Sequence, residues 1–144
     1  MISMLSVNAT DIRKNWSTAC DMVARVRPSF IKRTHDNLVL SSREDMLKLL
    51  AGVKYSYSIS KEDSGTYTIA LKDIDLVENS DTKEGAIDTM AASILEYAEE
   101  YYEEYELYSK ATNRANHLPM VMKALLLGDV RTIKEEMLCQ SGRI

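Results

Sequence analysis

Four carboxylates in one short stretch, Asp73, Asp75, Glu78 and Asp81, are the side chains whose type best suits a calcium or magnesium ion. Their spacing lacks the central glycine and the late bidentate glutamate of a calcium-binding helix-loop-helix, so no metal is expected there. Arg114 and His117, next to Asn113 and Asn116, are of the types that acid-base cleavage of RNA would use. No paired base, nucleophile and oxyanion donor accompanies them, so neither an enzyme nor a cofactor is expected. A nuclease using Asp73 to Asp81 or His117 is the alternative that metal-dependent turnover would favour. His35 reads first as a turn residue. Cys20 and Cys139 form neither a metal-ligand spacing nor a disulfide framework and are expected to be reduced thiols.

The other candidate residues are suited to recognition. Asn8, Thr10, Arg13 and Lys14 stand at the start of a helix, and Lys32 and Arg33 flank a small sheet. If that helix points its N-terminus at DNA, its backbone amides meet a phosphate and these side chains reach backbone or base edges, with Arg13 the first candidate for a base. The plainer alternative is that Asn8 only caps, Thr10 and Lys14 are solvated, and Arg13 pairs with Asp11 or Asp21. Trp16 is expected in the core rather than stacked on a base. Farther on, Glu96, Glu99, Glu100, Glu103, Glu104 and Glu106 interleave with Tyr97, Tyr101, Tyr102, Tyr105 and Tyr108. Like charges at helical spacing weaken a helix by a few tenths of a kcal/mol per pair, which a cationic protein partner would offset. Tyrosines anchor interfaces well, so Glu99, Tyr102, Glu103, Tyr105 and Glu106 are the candidate partner-binding residues. The alternative is a solvated acidic face over core and rim tyrosines.

The elements that must position these side chains follow from periodicity. Ile2 to Ser6 reads as a strand, and Asn8 caps a helix with Ile12, Trp16, Ala19, Cys20 and Val23 on one apolar face. Phe30 to Arg33, a turn at His35 to Asn37, and Leu38 to Leu40 make a hairpin. Ser42 caps a short helix with Asp45 at the capping-box position, and Gly52 stops it. Beyond it, Tyr55 to Ile59 and Tyr67 to Leu71 alternate about a turn at Lys61 to Gly65, and Ile74 to Val77 is a third extended piece. A long helix then begins at Asn79 to Thr82 and carries Ile87, Met90, Ala91, Ile94, Leu95, Ala98, Tyr101, Tyr102, Tyr105 and Tyr108 on one broad face. Asn116 caps a helix with Pro119 in its first turn, and Gly128 and Asp129 separate that helix from a last one.

Composition sets the frame. With 45% apolar and 28% charged residues, the 144-residue chain reads as ordinary globular material of one or two small domains. No apolar run approaches the ~18 residues of a membrane span, and no signal peptide is expected, which fits a cytoplasmic protein without a membrane partner. The net charge of −4 is unevenly spread. Residues 1–54 hold nine Lys or Arg against five Asp or Glu, and residues 55–144 hold nine against seventeen. Such a split suggests an anionic partner for the first part and a cationic surface for the second.

Three features of the first part together resemble the Phd/YefM antitoxins of bacterial type II toxin-antitoxin operons. They are Val7-Asn8 at the end of a strand, Arg13-x-Asn15-Trp16-Ser17 early in the helix, and Lys32-Arg33 before a short turn and an apolar strand. The resemblance covers about a third of the chain, and Thr34-His35-Asp36-Asn37 stands where that family usually shows a glycine-containing turn. It implies an intertwined homodimer, or a higher oligomer, that binds palindromic operator DNA, represses its own operon and blocks a cognate basic toxin through its C-terminal extension. The second part loosely resembles the HicB type of antitoxin fold, and also a group of bacterial proteins described only as antitoxins.

The expectation is therefore an α+β protein. Residues 1–54 would be a Phd/YefM-like dimerisation and DNA-binding domain, and residues 55–144 a β-hairpin and helical domain that binds a toxin or other partner. A stand-alone transcription factor whose second domain binds a ligand or another protein is the alternative.

Overall fold

The computed structural model describes residues 6–141 and shows an α+β chain with two small sheets and seven helices among them. It divides into two compact units between Leu49 and Leu50, so that residues 50–54 belong with the second unit. The strand expected at Ile2 to Ser6 falls almost entirely outside the described residues.

In the first unit, β1 (Val7–Asn8) pairs in parallel with β2 (Ser29–Arg33), and β2 pairs antiparallel with β3 (Asp36–Leu40). The hairpin register joins Arg33 to Asp36, so the loop is the two residues Thr34 and His35 rather than His35 to Asn37. Such short loops require left-handed backbone, and Thr34 supplies it at φ 38°. The helix after Asn8 is bent into α1 (Ala9–Lys14) and α2 (Trp16–Arg25). At the bend, Asn15 (φ −121°, ψ 43°) donates from both its backbone and its side-chain amide to the Asp11 carbonyl, each at 3.1 Å. This is the local competition that makes asparagine a poor helix-interior residue. α3 (Arg43–Leu49) starts where the Ser42 hydroxyl accepts from the Asp45 amide at 3.1 Å.

The interior of this unit is sparse. Among the described residues Ala19 and Val23 are its buried apolar ones, while Trp16 is 53% exposed, against the expectation that it is core. Cys20, expected on the buried face, is only half-buried.

The second unit holds the main core. β4 (Tyr57–Lys61), β5 (Tyr67–Leu71) and β6 (Val77–Ser80) form an antiparallel sheet in chain order. Ile69 and Leu71 pack with Met90, Ile94, Ala98 and Tyr101 of α4 (Lys83–Glu103) and with residues of α6 (Leu118–Leu127) and α7 (Val130–Ser141). Thr82, not the earlier Asn79, caps α4 by accepting from the Gly85 amide at 2.9 Å. The long helix ends sooner than its periodicity suggests. Glu104 (φ −108°, ψ 37°) interrupts it, and α5 (Tyr105–Lys110) follows. No basic residue occupies the last turn of α4, so its glutamates oppose the helix dipole as well as one another. Gly128, at φ 86°, ends α6 in left-handed backbone as expected.

Lys123, in the middle of the apolar run of α6, is 4% exposed. Its ammonium donates to the Val53 carbonyl at 2.7 Å and meets Glu136 of α7 at 2.9 Å. Nearby, the buried Tyr55 hydroxyl donates to the Met120 carbonyl at 2.6 Å. The bonds from Lys123 to Val53 and from Tyr55 to Met120 tie the segment leading into β4 to α6.

Candidate functional site

In the first unit the pairing of β1 with β2 puts Asn8 beside Lys32. Asn8 is a cap in fact, its side-chain oxygen accepting from the Thr10 amide at 2.7 Å. Thr10, Arg13 and Lys14 lie three and four residues apart on the exposed side of α1, which packs against β2. The pairing of Arg13 with Asp11 or Asp21, weighed from sequence, does not occur: Asp21 takes Arg25 at 3.0 Å. Among the described residues no carboxylate lies within ion-pairing distance of Arg13, Lys14, Arg27 or Lys32. Arg33 differs, because its guanidinium is held by Asp36 across the hairpin loop at 2.6 Å. The structure thus puts Asn8 beside Lys32, leaves Thr10, Arg13 and Lys14 exposed on α1, and commits Arg33 to the loop.

In the second unit Glu99, Tyr102, Glu103, Tyr105 and Glu106 are all exposed. The bend at Glu104 distributes them over two helices, so the single broad face expected from periodicity does not exist as such. Tyr101 points inward and is fully buried, whereas Tyr102 stands 63% exposed. Tyr105 rests edge-on against Tyr101 at 6.1 Å between ring centres. Glu106 meets Lys110 at 3.6 Å, and the other glutamates of this set have no cation within pairing distance among the described residues. The result is an acidic ridge studded with exposed Tyr102, Tyr105 and Leu107.

Behind the ridge lies a cluster that the sequence only hinted at. The Tyr97 hydroxyl and the Nδ1 of His117 share a hydrogen bond of 2.7 Å. The Arg114 guanidinium sits 4.5 Å from the Tyr108 ring centre and 5.6 Å from that of Tyr97, within cation–π range. The Arg114 carbonyl accepts from the Tyr101 hydroxyl at 3.0 Å. Burial and then the nearby Arg114 charge lower the His117 pKa, while Asp75 opposes them. Burial raises that of Tyr97. Arg114 and His117 therefore have aromatic and hydroxyl partners.

The four carboxylates considered for a metal go separate ways, and no group of three possible ligands is found among the described residues. Glu78 instead accepts from the Ser93 hydroxyl at 2.7 Å. The residue that sequence reasoning missed is Lys123. A lone lysine inside Met120-Val121-Met122-Lys123-Ala124-Leu125-Leu126-Leu127 was the available signal, because a charge in such a run needs a buried partner.

Residues 2–139 match the model of the PHD-like family, described as antitoxin of toxin-antitoxin, RelE/RelB, TA system. The structure is similar to a crystal structure from Syntrophomonas wolfei subsp. wolfei, described as the antitoxin part of a proposed toxin/antitoxin system. The similarity has a TM-score of 0.84 and 34% identity, and covers 91% of this chain and 94% of that one. No curated protein matches the chain. The antitoxin resemblance carried by the first third is thereby borne out, and it extends over nearly the whole length. Among the described residues no helix is long and apolar enough to cross a membrane.

Proposed function

The chain belongs to the PHD-like family of antitoxins of toxin-antitoxin systems, and from that premise we propose a division of labour between its two units. The first unit has a Phd/YefM-like arrangement, forms a homodimer, binds operator DNA and represses its own operon. The second unit holds and neutralises a cognate basic toxin. Both partners are met in the cytoplasm, without catalysis.

The observation that carries the first half of this reading is the thin interior of the first unit. Among the described residues Ala19 and Val23 are its buried apolar ones, and Trp16, Phe30, Leu38 and Val39 are exposed. A unit of that size needs more apolar burial than this to be stable, and a second copy supplies it. The basic surface of Asn8, Thr10, Arg13, Lys14 and Lys32 then occurs twice, as a palindromic operator requires. Among the described residues its cations have no carboxylate within ion-pairing distance, which leaves them to phosphates and base edges.

For the second half, the acidic ridge of Glu99, Glu103 and Glu106, with Tyr102 and Tyr105, suits a cationic protein. Toxins that act on RNA need positive surfaces, which such a ridge can cover. The experiment is coexpression with the protein encoded beside this one in its operon. Combined Glu99→Lys, Glu103→Lys and Glu106→Lys should slow association and reduce its salt dependence while operator binding stays unchanged. Unaltered association by that variant would remove the ridge from the toxin-binding surface.

A further inference from the structure

A cavity of about 170 Å³ opens in the second unit between the segment before β6 and the chain joining α5 to α6. Ile74 and Leu76 supply apolar lining, and Asp75, Tyr97, Glu100, Asn113, Arg114 and His117 supply the polar part. A space of that size suits one side-chain head group.

The charges of this cavity are not internally balanced. Its own cation, Arg114, is placed against the rings of Tyr108 and Tyr97. Among the described residues neither Asp75 nor Glu100 has a cation within ion-pairing distance. Two exposed carboxylates thus face one stacked guanidinium. Glu100 also stands three or four residues from Glu96 and Glu103 on α4, so the negative field of the ridge is continuous with the cavity.

We propose that this cavity receives the guanidinium of an arginine side chain from the basic protein partner, with Asp75 and Glu100 as its carboxylate acceptors. The inference rests on the reading that the ridge faces a cationic protein, and it names the point where that protein is anchored. A guanidinium fits better than an ammonium because it is planar, is weakly hydrated, and can bond carboxylates in pairs beside aromatic rings. The Asn113 side-chain oxygen adds a further acceptor type at the wall. Burial and Arg114 hold His117 toward its neutral form, so the imidazole adds no second repulsive charge.

The test uses the full chain, isotope-labelled, titrated with Nα-acetyl-arginine amide while the Asn113 side-chain amide and the His117 ring are followed by NMR. Saturable shifts are expected, at least fivefold weaker binding in Asp75→Asn/Glu100→Gln, weaker binding of Nα-acetyl-lysine amide, and no response to inorganic phosphate. Absence of saturation, equal affinity in the double variant, or preference for phosphate overturns the assignment.

Arginine-amide binding combined with undiminished capture of the operon partner by the double variant overturns it too, because the partner's arginine then does not use the cavity. The reading beneath it is scored separately. Glu99, Glu103 and Glu106 lie outside the cavity, so their reversal tests the ridge without removing the proposed arginine acceptors.

Discussion

Lys123 shows how a single side chain holds the second unit together. Its buried ammonium satisfies the Val53 carbonyl and meets Glu136, so Lys123→Met would keep the apolar stem and orphan both acceptors. Glu136 is a third exposed and recovers water, which leaves Val53 as the main loss. The expected destabilisation is about 1–3 kcal/mol, read from urea unfolding.

His117 gives a pH prediction. Its folded pKa lies below the ordinary 6.5, so the unfolded chain binds the proton more readily. Its contribution to stability is complete above about 6.5 and is lost as pH falls through the lower, folded value. His117→Gln should flatten that part of the stability profile, and an unchanged profile would show that His117 does not set it. The apolar run around Lys123 signals that a buried partner is needed, but not which one. The types of Arg114 and His117 were visible, but the tyrosines that occupy them come from α4 and α5, brought close only by the tertiary fold.

Elements were legible wherever periodicity alone decides them, as for the hairpin of β4 and β5, whereas the third strand, expected at Ile74 to Val77, lies at Val77–Ser80. They were misread where one residue overrides a pattern. Asn15 bends the first helix by bonding back to Asp11, and Glu104 interrupts the long one amid crowded like charge. Trp16 satisfies the helical apolar rhythm yet lies exposed, because periodicity names a face without saying what covers it.

The hairpin loop offers the sharpest test at this scale. Thr34 is β-branched and holds φ at 38°, a conformation costly for such a residue. Thr34→Gly should therefore raise stability by about 0.5–1 kcal/mol despite glycine's greater unfolded-state freedom, measured by thermal or urea unfolding. A loss of stability would mean that the Thr34 side chain contributes more than its backbone strain costs.

For the whole molecule, charge and burial point in the same direction. The unit with a thin interior is the basic one, and the unit with the large core carries the acidic ridge. A chain so divided can hold nucleic acid and a cationic protein without the two competing for one surface. The homodimer expected for the first unit predicts that Trp16→Glu, at an exposed position within a single copy, shifts the sedimenting species from dimer toward monomer. An unshifted dimer would place the interface elsewhere. Operator affinity should fall with dimer population, since two half-sites read together bind more tightly than one.

The most direct measurement is fluorescence anisotropy of the full chain with a duplex from its own promoter and with a scrambled duplex, across a range of salt. At least tenfold tighter binding to the promoter is expected near physiological salt. Affinity for both duplexes should decline with salt, each neutralised phosphate contributing about 0.9 to the logarithmic slope. Arg13→Ala should erode the preference by about 1–3 kcal/mol if it reads a base, while Lys14→Ala weakens both duplexes alike. Equal affinity for promoter and scrambled DNA at every salt concentration would contradict the account.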